Sequence, residues 1–137
     1  MARTPQPLAK RRIADAARRR FFNSRQWRRL TAPGPEEVER GTVFRFPACA
    51  PREPMVDCLL VDHPGESGLG VLVTSGKFAG TVTSALPSAA LMCATMRGAA
   101  HTPAVSRSWV IANWRRYFYE GCDPRDVMVA DRYPTPR

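Results

Sequence analysis

Residues 106–119, Ser106-Arg107-Ser108-Trp109-Val110-Ile111-Ala112-Asn113-Trp114-Arg115-Arg116-Tyr117-Phe118-Tyr119, repeat apolar and aromatic side chains at helical spacing. Val110, Trp114, Tyr117 and Phe118 fall on one arc, whereas Ala112, Arg115, Arg116 and Tyr119 point away from it. Ser106 or Ser108 can start the helix by accepting a backbone N–H, and Gly121 stops it. The spacing predicts a helix over 109–119 whose apolar stripe needs a sheet to cover.

Upstream the period changes to two. Thr42-Val43-Phe44-Arg45-Phe46 is rich in β-branched and aromatic residues and ends at Pro47, which predicts a strand with Phe44 and Phe46 on one face. Val56 to Asp62 is apolar apart from Asp57, a pattern that suits burial on both sides. Leu69 to Thr74, a turn at Ser75-Gly76-Lys77 and a return over Ala79 to Leu86 predict a hairpin, with Gly80 marking a bulge or a close backbone approach. Glu36 to Arg40 reads as one helical turn and Ser88 to Met96 as a short helix followed by a loop to Pro103. Val127 to Ala130 supplies a last strand. The expected fold is α+β: a mostly antiparallel sheet of about five strands, packed by the C-terminal Trp-rich helix.

The excess charge sits elsewhere. Of 21 Arg and Lys residues, ten lie in the first thirty positions beside one acid, Asp15, so the body from Thr31 onward is formally neutral. Leu8 to Phe22 reads as a basic amphipathic helix with a weak apolar face, and Phe21, Phe22, Trp27 and Leu30 suit docking of its far end onto the body. Thr31-Ala32-Pro33-Gly34-Pro35 breaks it, because proline lacks an amide hydrogen and restricts the residue before it. Residues 1–35 are therefore read as a basic arm and linker, and 36–137 as a single α+β domain. The arm admits two readings. Arg11, Arg12, Arg18, Arg19, Trp27, Arg28 and Arg29 offer phosphate neutralisation and base stacking to a nucleic acid. Equally, the arm serves as a solubilising tail or lies on an acidic protein.

The composition excludes several classes. No apolar run approaches the roughly 20 residues of a membrane span, and no apolar segment follows the N-terminal charges as in a secretory signal. An Arg-rich, acid-poor start also suits a mitochondrial presequence. Cys49, Cys58, Cys93 and Cys122 form no CxxC pair, and His63 and His101 stand isolated, so neither a metal nor a cofactor is expected. Cys58 reads as core, and Gly68-Leu69-Gly70 as a turn into a strand, without the third glycine and the helix that a phosphate cradle needs. His63 with Cys58 or Asp62 is no catalytic pair, since neighbours on a strand point apart. No enzyme is expected.

Gly41 to Ala48, Asp57 to Val61, Gly70 to Gly80 and Ser108 to Trp114, followed by Asp126 to Tyr133, together resemble the immunity protein 45 family of bacterial polymorphic toxin and contact-dependent growth inhibition systems. The resemblance covers residues 41–133 and leaves residues 1–40 outside. It implies a cytoplasmic antidote that binds the C-terminal domain of a cognate toxin and has no catalysis of its own. Outward-facing Arg115, Arg116 and Tyr119, with Arg45 and Lys77, are the expected partner contacts. A neutral body also argues against mimicry of nucleic acid as the means of inhibition.

Overall fold

A computed structural model describes residues 27–92 and 103–133 of the chain. The elements run β1 (Arg28–Arg29), β2 (Glu37–Glu39), β3 (Val43–Pro47), β4 (Met55–Asp62), β5 (Leu69–Val73), β6 (Val82–Ala85), a 3-10 turn (Ser88–Ala90), β7 (Ala104–Ser106), α1 (Arg107–Tyr117), a second 3-10 turn (Pro124–Asp126) and β8 (Met128–Ala130). Six strands form one antiparallel sheet in the order β1-β8-β3-β4-β5-β6, and β2 pairs with β7 as a separate ribbon. The fold is α+β, a large antiparallel sheet with one helix among the described residues. None of the helices described is long and apolar enough to cross a membrane. The basic helix expected over Leu8 to Phe22 lies outside the described residues.

Register pins the core to one face. Phe44 stands opposite Cys58 and Val129, Phe46 opposite Val56, Cys58 opposite Val73 and Leu60 opposite Val71, so these side chains share a face by the period-two alternation. That face is covered by α1, whose Val110 and Trp114 are fully buried, with Phe118 just beyond its end buried beside them. Trp114 stacks on Phe118 at 4.7 Å and meets Phe46 edge-on at 5.2 Å, while its Nε1–H donates to Cys122 Sγ. Such aromatic pairs add to the apolar area they bury.

Ser106 is the helix cap, its hydroxyl accepting from Trp109 N–H at 3.2 Å. A second acceptor comes from 70 residues upstream: Glu36 Oε1 takes hydrogen bonds from Ser106 Oγ at 2.7 Å and from the Ser108 N–H at 2.8 Å. The bonds from Ser108 and Ser106 hold the Glu36 carboxyl below its ordinary value of 4.5, against the opposing effect of burial. Arg107 completes the clasp by donating to the Leu30 and Ala32 carbonyls. Glu36→Ala is expected to cost about 1 kcal/mol, as loss of a cap does. With a depressed folded-state pKa, the wild-type contribution is present above pH 4.5 and fades as pH falls through the folded value. Urea titrations at pH 7 and at pH 3 check this, the gap between wild type and variant closing in acid.

Several expectations are corrected. Glu36 to Arg40 is no helical turn: β2 occupies it, because Val38 is buried opposite Val105 of β7. The run from Ser88 ends as helix at Ala90, and Leu91 forms an isolated bridge with Val105. The return strand of the hairpin starts at Val82, not Ala79, because residues 77–80 continue the turn. Gly80 closes that turn, and the bulge falls instead at the Val71/Leu72 register shift. Trp27 and Leu30 do dock on the body, both buried, and Arg28 and Arg29 add a sixth strand through the residues read as arm.

Candidate partner-binding surface

The opposite face of the sheet carries no helix among the described residues. Its side chains follow from the same pairs. Ala130, Val43, Leu59, Leu72 and Val82 form one cross-strand row over five strands, from β8 to β6. The row is fully buried at Ala130 and Val43 and rises to 40 % exposure at Val82. Trp27 and Met128 pack beside its buried end.

Next to this row lies a polar one. Arg45 on β3 faces Asp57 on β4 and holds it bidentately, Nε to Oδ1 at 2.7 Å and the second guanidinium nitrogen to Oδ2 at 2.8 Å. The guanidinium also lies over the Trp27 ring, 4.4 Å from its centroid. On the other side Tyr133 Oη donates to Asp57 Oδ2 at 3.0 Å and makes a short hydrogen bond with Thr74 Oγ1. Burial, and then the negative Asp57, push the Tyr133 hydroxyl up to about 12, so it stays a donor at neutral pH. Trp27, Arg45, Asp57 and Tyr133 therefore form a neutralised chain of contacts, rigid where a long charged side chain would otherwise be mobile.

One end of the sheet is organised by Glu53 and Arg52. The Glu53 carboxylate accepts from Lys77 N–H at 2.8 Å and lies where a side chain on Gly76 would stand: a Cβ there would overlap Glu53 Oε2. Gly76 also has φ +74°. Arg52 lies over the rings of Phe78 at 5.0 Å and Tyr119 at 5.6 Å. Gly76→Ala is expected to cost about 1–2 kcal/mol from the left-handed backbone alone and to free the loop that leads into β6. Thermal melting and amide exchange of residues 75–80 check both effects.

The expected contact residues are dispersed. Arg115 and Arg116 are exposed on α1, Arg115 near Asp123 at 3.8 Å and Arg116 over Tyr117 at 5.3 Å. Lys77 is exposed on the loop before β6. Arg45 instead points to the outer sheet face and is engaged by Asp57 and Trp27. Tyr119 does not point away: it follows the helix rather than continuing it, packs on Phe46 at 5.2 Å, and its hydroxyl accepts from Cys49 N–H. Among the nucleic-acid candidates, Arg11, Arg12, Arg18 and Arg19 lie outside the described residues. Trp27 is buried under Arg45, Arg28 pairs with Asp131 at 3.0 Å, and Arg29 donates to the Arg125 carbonyl. The residues that sequence reading missed are Asp57 as the partner of Arg45, with Tyr133 and Thr74. The available signal was a lone acid within an apolar strand, two strands' worth of alternation away from a lone base.

Among the described residues the thiols and the His63 imidazole form no chemical centre. Cys58 is buried in the core and burial drives its thiol to about 12, so it stays protonated and unreactive. His101 and Cys93 lie outside the described residues. Among the described residues no three His, Cys, Asp or Glu side chains are grouped to hold a metal.

The model of the immunity protein 45 family matches residues 30–129, from buried Leu30 into β8. No curated protein and no solved structure matches the chain significantly. The matched span takes in β2 to β7, α1 and the residues of β8 that face Phe44 and Arg45. The sheet, its helix and the outer-face chain from Arg45 to Asp57 thus belong to a member of the immunity protein 45 family.

Proposed function

We propose that the chain neutralises a cognate bacterial toxin by stoichiometric binding to the toxin's C-terminal domain in the cytoplasm of the producing cell. The observation that carries this reading is the family match over residues 30–129, which spans nearly the whole of the described fold. The mechanism is occlusion: a rigid sheet-and-helix body covers the toxin's active site, or a surface on which its activity depends. Exposed Arg115, Arg116 and Lys77 are proposed rim contacts, which steer association and set its salt dependence more than its strength. The arm is accessory in this reading, and residues from Trp27 onward carry the binding.

The test is to produce the chain with the toxin domain encoded immediately upstream of it. The expected result is survival of the cells and a one-to-one complex by light scattering, with protection titrating against the amount of chain and unchanged when residues 1–26 are deleted. Death of the cells at equimolar expression, or protection by far less than one chain per toxin, would remove the reading. Steeply salt-dependent binding to RNA that vanishes with residues 1–26, without protection, would favour the arm as a nucleic-acid device.

A further inference from the structure

The last strand of the sheet, β6, has a neighbour on one side only among the described residues. Thr81-Val82-Thr83-Ser84-Ala85 contains no charge and no proline, the usual devices that protect an edge from pairing. The direction of its backbone groups can be read from its ends. The Thr81 carbonyl accepts from Val73 and the Leu86 N–H donates to Leu69, each at 2.9 Å, so both point toward β5. By alternation Val82 and Ala85 turn their N–H and C=O groups outward, and the register shift at Val71/Leu72 accounts for the three-residue step between them. The other edge differs: β1 has two residues, and Arg28 is tied to Asp131.

The apolar row of the outer face arrives at this same edge. Val82 continues Ala130, Val43, Leu59 and Leu72 and is, with Tyr133, one of two large apolar residues left exposed among the described residues. We infer that an extended segment of the toxin domain adds to the free edge of β6 as a further antiparallel or parallel strand, placing an apolar side chain beside Val82. This inference rests on the toxin-binding reading and names the surface for it. The main-chain groups of Val82 and Ala85 supply the ladder, and the apolar row supplies selectivity for an uncharged strand. A second copy of the chain is the poorer occupant. Pairing of two four-residue edges buries far less than the roughly 1,000 Å² that a specific dimer needs.

The experiment uses the full chain, the upstream-encoded toxin domain as probe, and two variants. Ala85→Pro removes an outward N–H that β5 does not use, and Val82→Lys places a charge at the end of the apolar row. Titration calorimetry is expected to show at least tenfold weaker binding for each, with melting temperatures within a few degrees of wild type. Amide exchange at Val82 and Ala85 is expected to slow at least tenfold in the wild-type complex. Binding within twofold of wild type for both variants, or unslowed amides, overturns the inference while leaving the toxin-binding reading intact. A wild-type dimer that Val82→Lys dissolves assigns the edge to self-association and overturns it as well. Absence of wild-type binding fells the functional reading and this inference together. If Ala85→Pro fails to fold, Val82→Lys and the amides decide.

Discussion

Trp114→Ala is expected to cost about 3–5 kcal/mol, a large share of the roughly 5–15 kcal/mol that holds a domain of this size. Trp114 is fully buried at the centre of α1's contact with the sheet. It touches Phe44 at 5.8 Å, Phe46 at 5.2 Å and Phe118 at 4.7 Å, so truncation opens a cavity lined by rings from β3 and from the chain leaving the helix. Phe44 and Phe46 are fixed by strand pairing and cannot close on the gap. The variant is expected to lose its melting transition at physiological temperature or to show a midpoint lowered by about 10–20 °C, on the usual conversion of free energy to melting temperature. Trp114→Phe keeps most of the apolar volume and loses only the donor to Cys122, so it should fall between the two. Denaturant unfolding followed by circular dichroism measures the series. A loss under 1 kcal/mol for the alanine variant would mean that the helix is not what closes the core.

Asp57→Ala is the second large effect, about 3 kcal/mol, and its cause is electrostatic. The Arg45 side chain is 17 % exposed and that of Asp57 9 %, so removing the carboxylate leaves a largely desolvated guanidinium without its bidentate acceptor. Tyr133 loses the same acceptor. Replacing both members, Arg45→Met with Asp57→Leu, is expected to recover stability to within about 1 kcal/mol of wild type, because a buried ion pair and an apolar pair of similar size are often nearly equivalent. The double-mutant cycle thus separates the penalty of an orphaned charge from the worth of the pair. A second readout follows from Tyr133. Its folded-state pKa of about 12 lies above the ordinary 10.0, so its contribution is complete below pH 10 and disappears as pH rises through 12. In Asp57→Ala the negative neighbour is gone, and ultraviolet titration should find that hydroxyl ionising at lower pH. An unchanged titration would show that Asp57 does not act on it.

Legibility varied with how local each element's cause is. The helix around Trp109 to Tyr117 and its Ser106 cap were readable, because hydrophobic period and capping act within a few residues. The strands at Val43, Val56, Leu69 and Val127 were readable for the same reason. Strands β1, β2 and β7 were not, since none of them carries the apolar run that marks the others and each exists only because a distant segment pairs with it. Tyr119 was misplaced because helical spacing was extended past Phe118, where the backbone leaves the helix and swings the ring back onto Phe46.

The candidate surface was less legible than the fold. The sequence makes Arg45 an expected partner contact, yet its environment is set by Asp57, Trp27 and Tyr133, residues separated from it by 12, 18 and 88 positions. The exposed edge at Val82 was likewise hidden, because a strand's rank in a sheet is no property of the strand.

The amino-acid order alone determined the split between a cationic leader and a charge-balanced body, the α+β class, and the pattern of motifs that marks the family; these follow from short-range period, charge and turn chemistry. Tertiary structure alone decided which of the described strands stands last in the sheet, which acid neutralises Arg45, and which apolar row ends at the exposed Val82. Those outcomes depend on register between segments far apart in sequence, where a shift of one residue would reverse every side chain from one face to the other.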